Sequence, residues 1–327
     1  MRYRRFGRLG WQVSEISYGM WGVGGGLHGW TGATEDDKLA ALQRAVDLGC
    51  NFFDTAWVYG RGHSEHVLGE LVRANPDTRL YVATKVPPKD MRWPSTRQST
   101  LDDVFPPDHI EEYVHKSLDN LGLQKIDLLQ LHVWEDAWTE DLRWWRVLTG
   151  LRDQGVIGGI GISVNRWEPW NGLKAIGTGL VDAVQVIYNI FDQDPEDELF
   201  PAAVEHDVAV IARVPFDEGT LTGTLTPEST WPEGDWRNSY FVPENLLASV
   251  ARAERLRADL PAGLPMPEAA LRFVLADPRV ATTIPGMRRI DHVERNAAVS
   301  DGQELEPDVL AMLRRHRWSR QPTWWSQ

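Results

Sequence analysis

Cysteine is almost missing from this chain. Cys50 is the single one in 327 residues, so no disulfide can close within the chain, which fits a reducing compartment. Beside an apolar run its thiol reads as a small core group rather than a redox centre. Long apolar stretches are missing too, since no segment approaches the ~18 consecutive apolar residues of a membrane span. Arg4-Arg5 could begin an export signal, but Glu15 and the glycines from Gly19 to Gly26 interrupt the apolar region such a signal needs. A cytoplasmic protein without a membrane partner is expected. Positive charge is in deficit: 34 Lys and Arg against 47 Asp and Glu leave a net charge of −13. That argues against a nucleic-acid partner, whose phosphates reward a basic surface. Metal-ligand spacing is lacking as well, because His63-x-x-His66 has no further ligand nearby, and no metal is expected. With no linker composition and no internal repeat, residues 1–327 read as one domain that ends in a helix and a Trp-rich tail over about 306–327.

What the chain does have is alternation. Apolar runs near residues 15–20, 51–56, 80–86, 126–132, 158–163, 183–188, 208–213 and 280–285 are separated by helical patterns. Short runs rich in β-branched and aromatic residues, each followed by a helix, predict parallel strands. Eight such units predict an α/β fold of the (β/α)8 TIM-barrel type rather than an open sheet. Thr34 ahead of Glu35-Asp36-Asp37 predicts a helix cap, with Leu39, Leu42, Ala45 and Val46 as the apolar face and Gly49 as the stop. Further helices are expected over 107–121, 140–154, 169–177, 195–205, 266–276 and 289–298. Arg2 to Val13 alternates polar and apolar around Gly7 and Gly10, and predicts a β-hairpin plugging the barrel's amino-terminal end. The long connections 87–107 and 214–265 predict functional loops at the opposite mouth. Gly24-x-Gly26-x-x-Gly29 has the letters of a dinucleotide motif, but no helix opens directly after it and no acidic strand end follows at the required distance. A flexible turn after the first strand is expected there.

Asp54, Lys85 and His132 each stand at the end of a separate strand, and Tyr59 follows the first of these. In a barrel such positions converge on one mouth, where active sites lie. A phenol is a poor acid at neutral pH unless neighbours favour its anion. Lys85 is the cation expected to do so, Asp54 would hold the lysine charged and in place, and His132 would orient a substrate oxygen. The set protonates an oxygen on which negative charge grows, and it contains no nucleophile for acyl transfer.

The stretches Asp54-Thr55-Ala56-Trp57-Val58-Tyr59-Gly60, Thr84-Lys85 and Leu131-His132 resemble the signatures of the aldo-keto reductases. The resemblance runs from Tyr3-Arg4-Arg5-Phe6-Gly7 to about Asn296, in the family's order, and is similar to its potassium-channel β-subunit-like branch. It implies reduction of an aldehyde or ketone to the alcohol with NADPH as cofactor, Tyr59 being the general acid, Asp54 and Lys85 its tuning pair and His132 the orienter. Gly161-Ile162-Ser163-Val164-Asn165 resembles the family's serine-asparagine pair for the nicotinamide carboxamide, although Val164 separates the two here; Gln185 would be the third partner. Arg213 stands where the family often carries a tyrosine stacked on the nicotinamide, and a planar guanidinium can also stack. Val214, Pro215 and Phe216 lead into Asp217-Glu218-Gly219-Thr220-Leu221-Thr222-Gly223, which resembles the loop over the pyrophosphate. Glu218, Gly219, Leu221 and Gly223 would contribute there chiefly through the backbone. Pro285, Gly286, Arg288 and Arg289 precede a helix, and paired arginines at a helix start suit the 2′-phosphate that distinguishes NADP from NAD. His292 and Asn296 would face the adenosine, and Trp21 joins the cofactor set.

Tryptophan is abundant at 16 residues, and several fall after strands. Trp57, Trp93 and Trp134 are expected to wall a substrate pocket, with Trp138, Trp231, Trp236 and the tail residues Trp318, Trp324 and Trp325 near the same mouth. The wall suits a ring-bearing or extended apolar carbonyl compound, and also a sugar, whose apolar face stacks on indole. Two alternatives remain at this point: oxidation of a sugar or alcohol with NADP, and a non-catalytic NADP-binding regulatory subunit. Assembly into a homo-oligomer is compatible with either.

Overall fold

The structure is a computed structural model that describes residues 1–25, 32–320 and 322–323. Gly26 and Gly29 of the expected turn, and Trp324 and Trp325 of the tail, lie outside the described residues.

Two strands, β1 (Tyr3–Phe6) and β2 (Trp11–Ser14), pair antiparallel with Tyr3 opposite Ser14 and Phe6 opposite Trp11. The turn between them needs left-handed backbone at Gly7 and Gly10, which have φ of 43° and 69°. Gly7 has a second constraint, because a Cβ there would stand 2.6 Å from the backbone nitrogen of Ala209. Phe6 and Val13 are buried against Phe52, Ala83, Leu128, Ala183 and Ala209, so the hairpin closes the barrel's lower end as the alternation predicted.

Eight strands follow: β3 (Tyr18–Gly19), β4 (Phe52–Asp54), β5 (Tyr81–Val86), β6 (Ile126–Leu131), β7 (Ile157–Ser163), β8 (Ala183–Ile187), β9 (Ala209–Arg213) and β10 (Val280–Thr283). Each pairs parallel with its sequence neighbour. Parallel bridges from Ile16 to Thr283 and from Gly19 to Gly286 join the first strand to the last, completing the (β/α)8 barrel. The two-residue period of a strand then stacks the lumen in layers. Phe52, Ala83, Leu128, Ala183 and Ile211 share the lower apolar layer, so Asp54, Lys85, Gln130, Gln185 and Arg213, two residues further along, form the polar layer above it.

The outer helices follow from caps and faces. Thr34 caps the helix Glu35–Asp47, its hydroxyl accepting from the Asp37 N–H at 3.2 Å while the Asp37 carboxylate accepts from the Thr34 N–H at 3.0 Å. Helices His63–Ala74 and Pro107–Leu121 approach so closely that a Cβ on Gly69 would stand 1.8 Å from the Leu121 carbonyl oxygen. Cys50 is buried, and that burial pushes its thiol up to about 12, which suits a core group.

Several boundaries differ from expectation. The connection 214–265 contains a 17-residue helix, Pro243–Asp259. Its buried face includes Asn245, Ser249 and Ala253 among Leu246, Val250 and Leu256, and those small and polar members blur the apolar period. The helix expected over 169–177 is only Leu173–Gly177, and 195–205 splits into a turn at Asp194–Glu196 and the helix Leu199–Glu205. The terminal helix is Pro307–Arg314. Among the described residues no helix is long and apolar enough to cross a membrane.

Candidate active site

The polar layer brings Asp54 and Lys85 into direct contact. Lys85 is fully buried and Asp54 is 2% exposed. The Lys85 ammonium donates to Asp54 Oδ1 and to the Thr55 carbonyl at 2.8 Å. The other carboxylate oxygen, Oδ2, accepts from the side-chain amides of Gln130 and Gln185, both at 2.9 Å. A buried ion pair is tolerable only when the remaining lone pairs and protons find partners; the two amides serve the carboxylate and the Thr55 carbonyl takes a second ammonium proton.

Tyr59 lies in the turn after β4 with its ring centroid 5.3 Å from Lys85 Nζ. His132 follows β6 directly, and its ring meets Tyr59 edge-on at 5.8 Å. The four expected groups therefore share one pocket. Burial holds the His132 imidazole well below its ordinary 6.5, with help from the nearby positive charges of Lys85 and Arg213, so it is neutral at neutral pH. Its Nδ1 is buried and has no hydrogen-bond partner among the described residues. Tyr59 departs from expectation. Burial pushes its phenol above the usual range, outweighing the opposite pull of Lys85 and Arg213, while Asp54 adds to the rise. Lys85 thus limits the upward shift rather than producing a net downward one.

The other expected residues lie on the neighbouring strand ends and the loops that follow them. Ser163 ends β7 opposite Gln185 of β8, and among the described residues none hydrogen-bonds its hydroxyl. Asn165, expected beside it, is committed to its own turn: its Oδ1 accepts from the N–H groups of Trp167 and Glu168 at 2.9 and 2.8 Å. Arg213 ends β9 and donates to the Val164 carbonyl at 3.1 Å. After it, Val214, Asp217, Glu218, Gly219 and Gly223 all take positive φ, and Pro215, Phe216 and Leu221 complete a tight turn in which Leu221 N–H donates to the Phe216 carbonyl at 3.0 Å. Trp21 lies 6.4 Å from Tyr59, ring to ring, and 4.9 Å from Trp236.

Pro285 and Gly286 bridge back to Gly19, and half-buried Arg288 lies over Gly22, where a Cβ would stand 2.6 Å from its Cδ. Arg289 is exposed and pairs with Asp291 at 3.1 Å. His292 is half-buried and Asn296 is 7% exposed on the helix Ile290–Ala298.

The three tryptophans expected to wall the pocket separate. Trp93 meets His132 edge-on at 5.4 Å. Trp57 packs on Tyr113, with Lys116 above it, against the helix Pro107–Leu121. Trp134 is buried against Trp138 and Trp144, because its ring turns into the helix layer rather than the mouth. A cavity of about 600 Å³ opens between the loop after Trp93 and the tail, lined by Pro94, Arg97, Trp167, Trp170 and Trp318 among others, with Trp93, His132 and Tyr59 outside its lining.

Sequence reasoning missed Gln130, whose only signal is being the one polar side chain besides Asp127 in the buried strand Ile126–Leu131. It also missed a buried cluster beside the Asp217 turn. Arg320 donates to Asp217 Oδ1 at 2.5 Å and to the Tyr240 hydroxyl at 2.9 Å, and Arg166 lies 3.6 Å from Asp217 and 3.9 Å from Glu218. These residues are far apart in sequence and carry no local signal.

Comparison with known proteins bears on the family and the fold. The profile of the Aldo/keto reductase family matches residues 15–317. The chain is 29% identical over 319 residues to the uncharacterized oxidoreductase YqkF of Bacillus subtilis, covering 97% of this chain and 96% of that protein. It is 27% identical over 310 residues to an NADH-specific methylglyoxal reductase of Escherichia coli, covering 92% and 94%. The holo form of the aldo-keto reductase AKR11C1 from Bacillus halodurans superposes with a TM-score of 0.75 at 25% identity, covering 98% of this chain and 97% of that one.

Proposed function

The chain belongs to the aldo/keto reductase family, oxidoreductases of carbonyl and CH–OH groups that use a nicotinamide cofactor, and from that premise we propose that it reduces an aldehyde or ketone to the alcohol with NADPH. The observation that carries the reading is the fully buried Lys85–Asp54 pair beside Tyr59 and the neutral His132.

The residues around this set suit the cofactor. Gln185 uses its amide N–H groups on Asp54 and Gln130, so its carbonyl oxygen remains as an acceptor, and the Ser163 hydroxyl stands opposite as a donor or acceptor. Together they suit a carboxamide. The Asp217–Gly223 turn offers its backbone to the pyrophosphate, and Arg213 offers a guanidinium plane to the ring. Arg288 suits the 2′-phosphate, which favours NADPH over the NADH named for the E. coli relative. Arg289, paired with Asp291, contributes less.

When bound, the nicotinamide supplies hydride to the carbonyl carbon. Tyr59 donates its proton to the carbonyl oxygen as negative charge grows there. Lys85 stabilises the phenolate that remains, and Asp54 keeps Lys85 charged and aimed. His132, uncharged, positions the carbonyl oxygen by hydrogen bonding without competing as an acid. Trp93 borders the reacting centre, and the cavity beyond it, walled by Trp167 and Trp318, takes the remainder of a small-molecule carbonyl substrate.

Oxidation of NADPH with 4-nitrobenzaldehyde, followed for the wild type and Tyr59→Phe, tests the reading. Turnover that depends on Tyr59 supports it; none with any of a panel of aromatic aldehydes, ketones and aldoses would overturn it.

A further inference from the structure

Gln130 sits in the middle of the polar layer, and the fold makes room for it. It pairs in register with Lys85 on one side and Gly161 on the other. A Cβ on Gly161 would stand 2.8 Å from Gln130 Cγ, so the missing side chain there lets the glutamine cross the lumen toward Asp54. Gln130 is fully buried, and a buried amide is costly unless its hydrogen bonds are made.

Those bonds run in one direction. Gln130 Nε2 donates to Asp54 Oδ2 at 2.9 Å, while its Oε1 accepts from Gln185 Nε2 at 3.1 Å. Gln185 Nε2 also donates to Asp54 Oδ2 at 2.9 Å. Flipping either amide would set oxygen against oxygen, so the arrangement permits one orientation. With both Gln185 protons engaged, its Oε1 is turned away from the acid pair.

We propose that Gln130 is a positioning residue that couples the acid pair to the nicotinamide site, holding the Asp54 carboxylate with its donor and fixing the direction of the Gln185 amide with its acceptor. This rests on the proposed reading of Tyr59, Lys85 and Asp54 as the acid set and of Gln185 as a carboxamide contact. Gln130 touches neither substrate nor cofactor; it acts through its two neighbours.

Gln130→Met keeps the length of the side chain and removes both polar functions. Two ligands read the outcome without turnover: NADPH, and 2′-phospho-ADP-ribose, which lacks the nicotinamide. The expected result is NADPH affinity weaker by roughly tenfold, the scale of a hydrogen bond lost within a charged network, with 2′-phospho-ADP-ribose affinity unchanged. In the oxidative direction, where Tyr59 must lose its proton, the rising limb of the kcat–pH profile moves to higher pH, because Asp54 without this donor opposes the phenolate more strongly. Unchanged NADPH affinity and an unmoved pH limb overturn the proposal, as does parallel weakening of both ligands, which marks a general structural part. If Tyr59→Phe turns over as the wild type does, it is the acid reading that fails; the binding contrast stands apart from that result. Should Gln130→Met not fold, Gln130→Glu carries the test. Its carboxyl must be protonated to donate to Asp54, so NADPH affinity recovers as pH falls, and a deficit independent of pH overturns the proposal.

Discussion

Lys85 Nζ stands 5.3 Å from the centre of the Tyr59 ring, near enough to stabilise a phenolate and too far from bulk water to be screened by it. Lys85 has no exposed surface, so its charge acts at low effective dielectric. Removing the phenol's proton should cost more than removing any contact to the substrate. Tyr59→Phe is expected to lower kcat by about 10²- to 10⁴-fold, the usual worth of a positioned acid, while NADPH binding measured by fluorescence quenching persists. Lys85→Met should be similarly inactive, because burial and Asp54 then drive the Tyr59 pKa up with only Arg213 opposing them.

Arg288 tests the proposed preference for NADPH. It is half-buried over Gly22, with desolvation and neighbouring Arg237 opposing its charge while Asp235 supports it. A phosphate would relieve that cost. Arg288→Ala should weaken NADPH roughly tenfold to a hundredfold through loss of a charge-assisted contact, with NADH barely affected. Equal losses for both would move Arg288 to a role in the fold or at the shared pyrophosphate.

The barrel and the convergence of Asp54, Tyr59, Lys85 and His132 on one pocket were legible because both are written locally. Each strand end carries its polar residue two positions beyond an apolar one, as in Phe52 and Asp54 or Ala83 and Lys85, and the period of a strand turns that spacing into a layer. The hairpin plug was legible from Gly7 and Gly10. The side-chain directions of tryptophans were not. Trp134 lies in the loop after β6, only two residues past His132, yet its ring enters the helix layer because Trp144 and Trp138 are there to receive it. Asn165 resembled a family position only with Val164 intervening, and its amide oxygen is drawn into a local turn. The Arg166–Arg320–Asp217 cluster depends on the tail returning to the mouth, which no local pattern encodes.

Gly69 tests the packing of the helix layer. With the Leu121 carbonyl oxygen 1.8 Å from the position of a Cβ, a methyl group must push two helix backbones apart. Gly69→Ala should destabilise by about 1–3 kcal/mol despite alanine's better helix propensity. Thermal unfolding monitored by circular dichroism would show the lower Tm, and KM values should hold where the protein remains folded. A raised Tm would mean that the helices are not packed this closely.

Burial of Glu218 implies a pH dependence of stability whose sign can be worked out. Burial pushes its carboxyl up to about 7 despite the nearby Arg166, while Asp217 adds to the rise. A carboxyl whose pKa is raised on folding favours the folded state when protonated, and that contribution fades as pH rises from the ordinary carboxylate range through about 7. Glu218→Gln removes this titration while preserving size. Relative to the wild type, the variant should gain stability as pH is raised from 5 to 8, read from urea midpoints at each pH. A constant difference across that range would place the Glu218 titration elsewhere.

The tail contact at Asp217 yields the last prediction. Arg320 has a side chain only 3% exposed, and it donates to an Asp217 carboxylate that is fully buried. Asp217 opens the turn of positive-φ residues proposed to lie over the pyrophosphate. The Trp318 N–H donates to the Phe191 carbonyl at 2.8 Å, fixing the tail where it returns to the mouth. Loss of Arg320 leaves Asp217 with Arg166 at 3.6 Å as its remaining cation. Breaking a buried pair from one side commonly costs ~3–5 kcal/mol, and Arg166 would offset part of that. Arg320→Ala should therefore loosen the turn and raise the NADPH release rate in stopped-flow fluorescence. Truncation after Arg317 should do the same and, by removing Trp318 from the 600 Å³ cavity wall, also raise KM for bulky carbonyls more than for small ones. An unchanged release rate in both variants would confine the tail to the substrate side of the mouth and detach it from the cofactor turn.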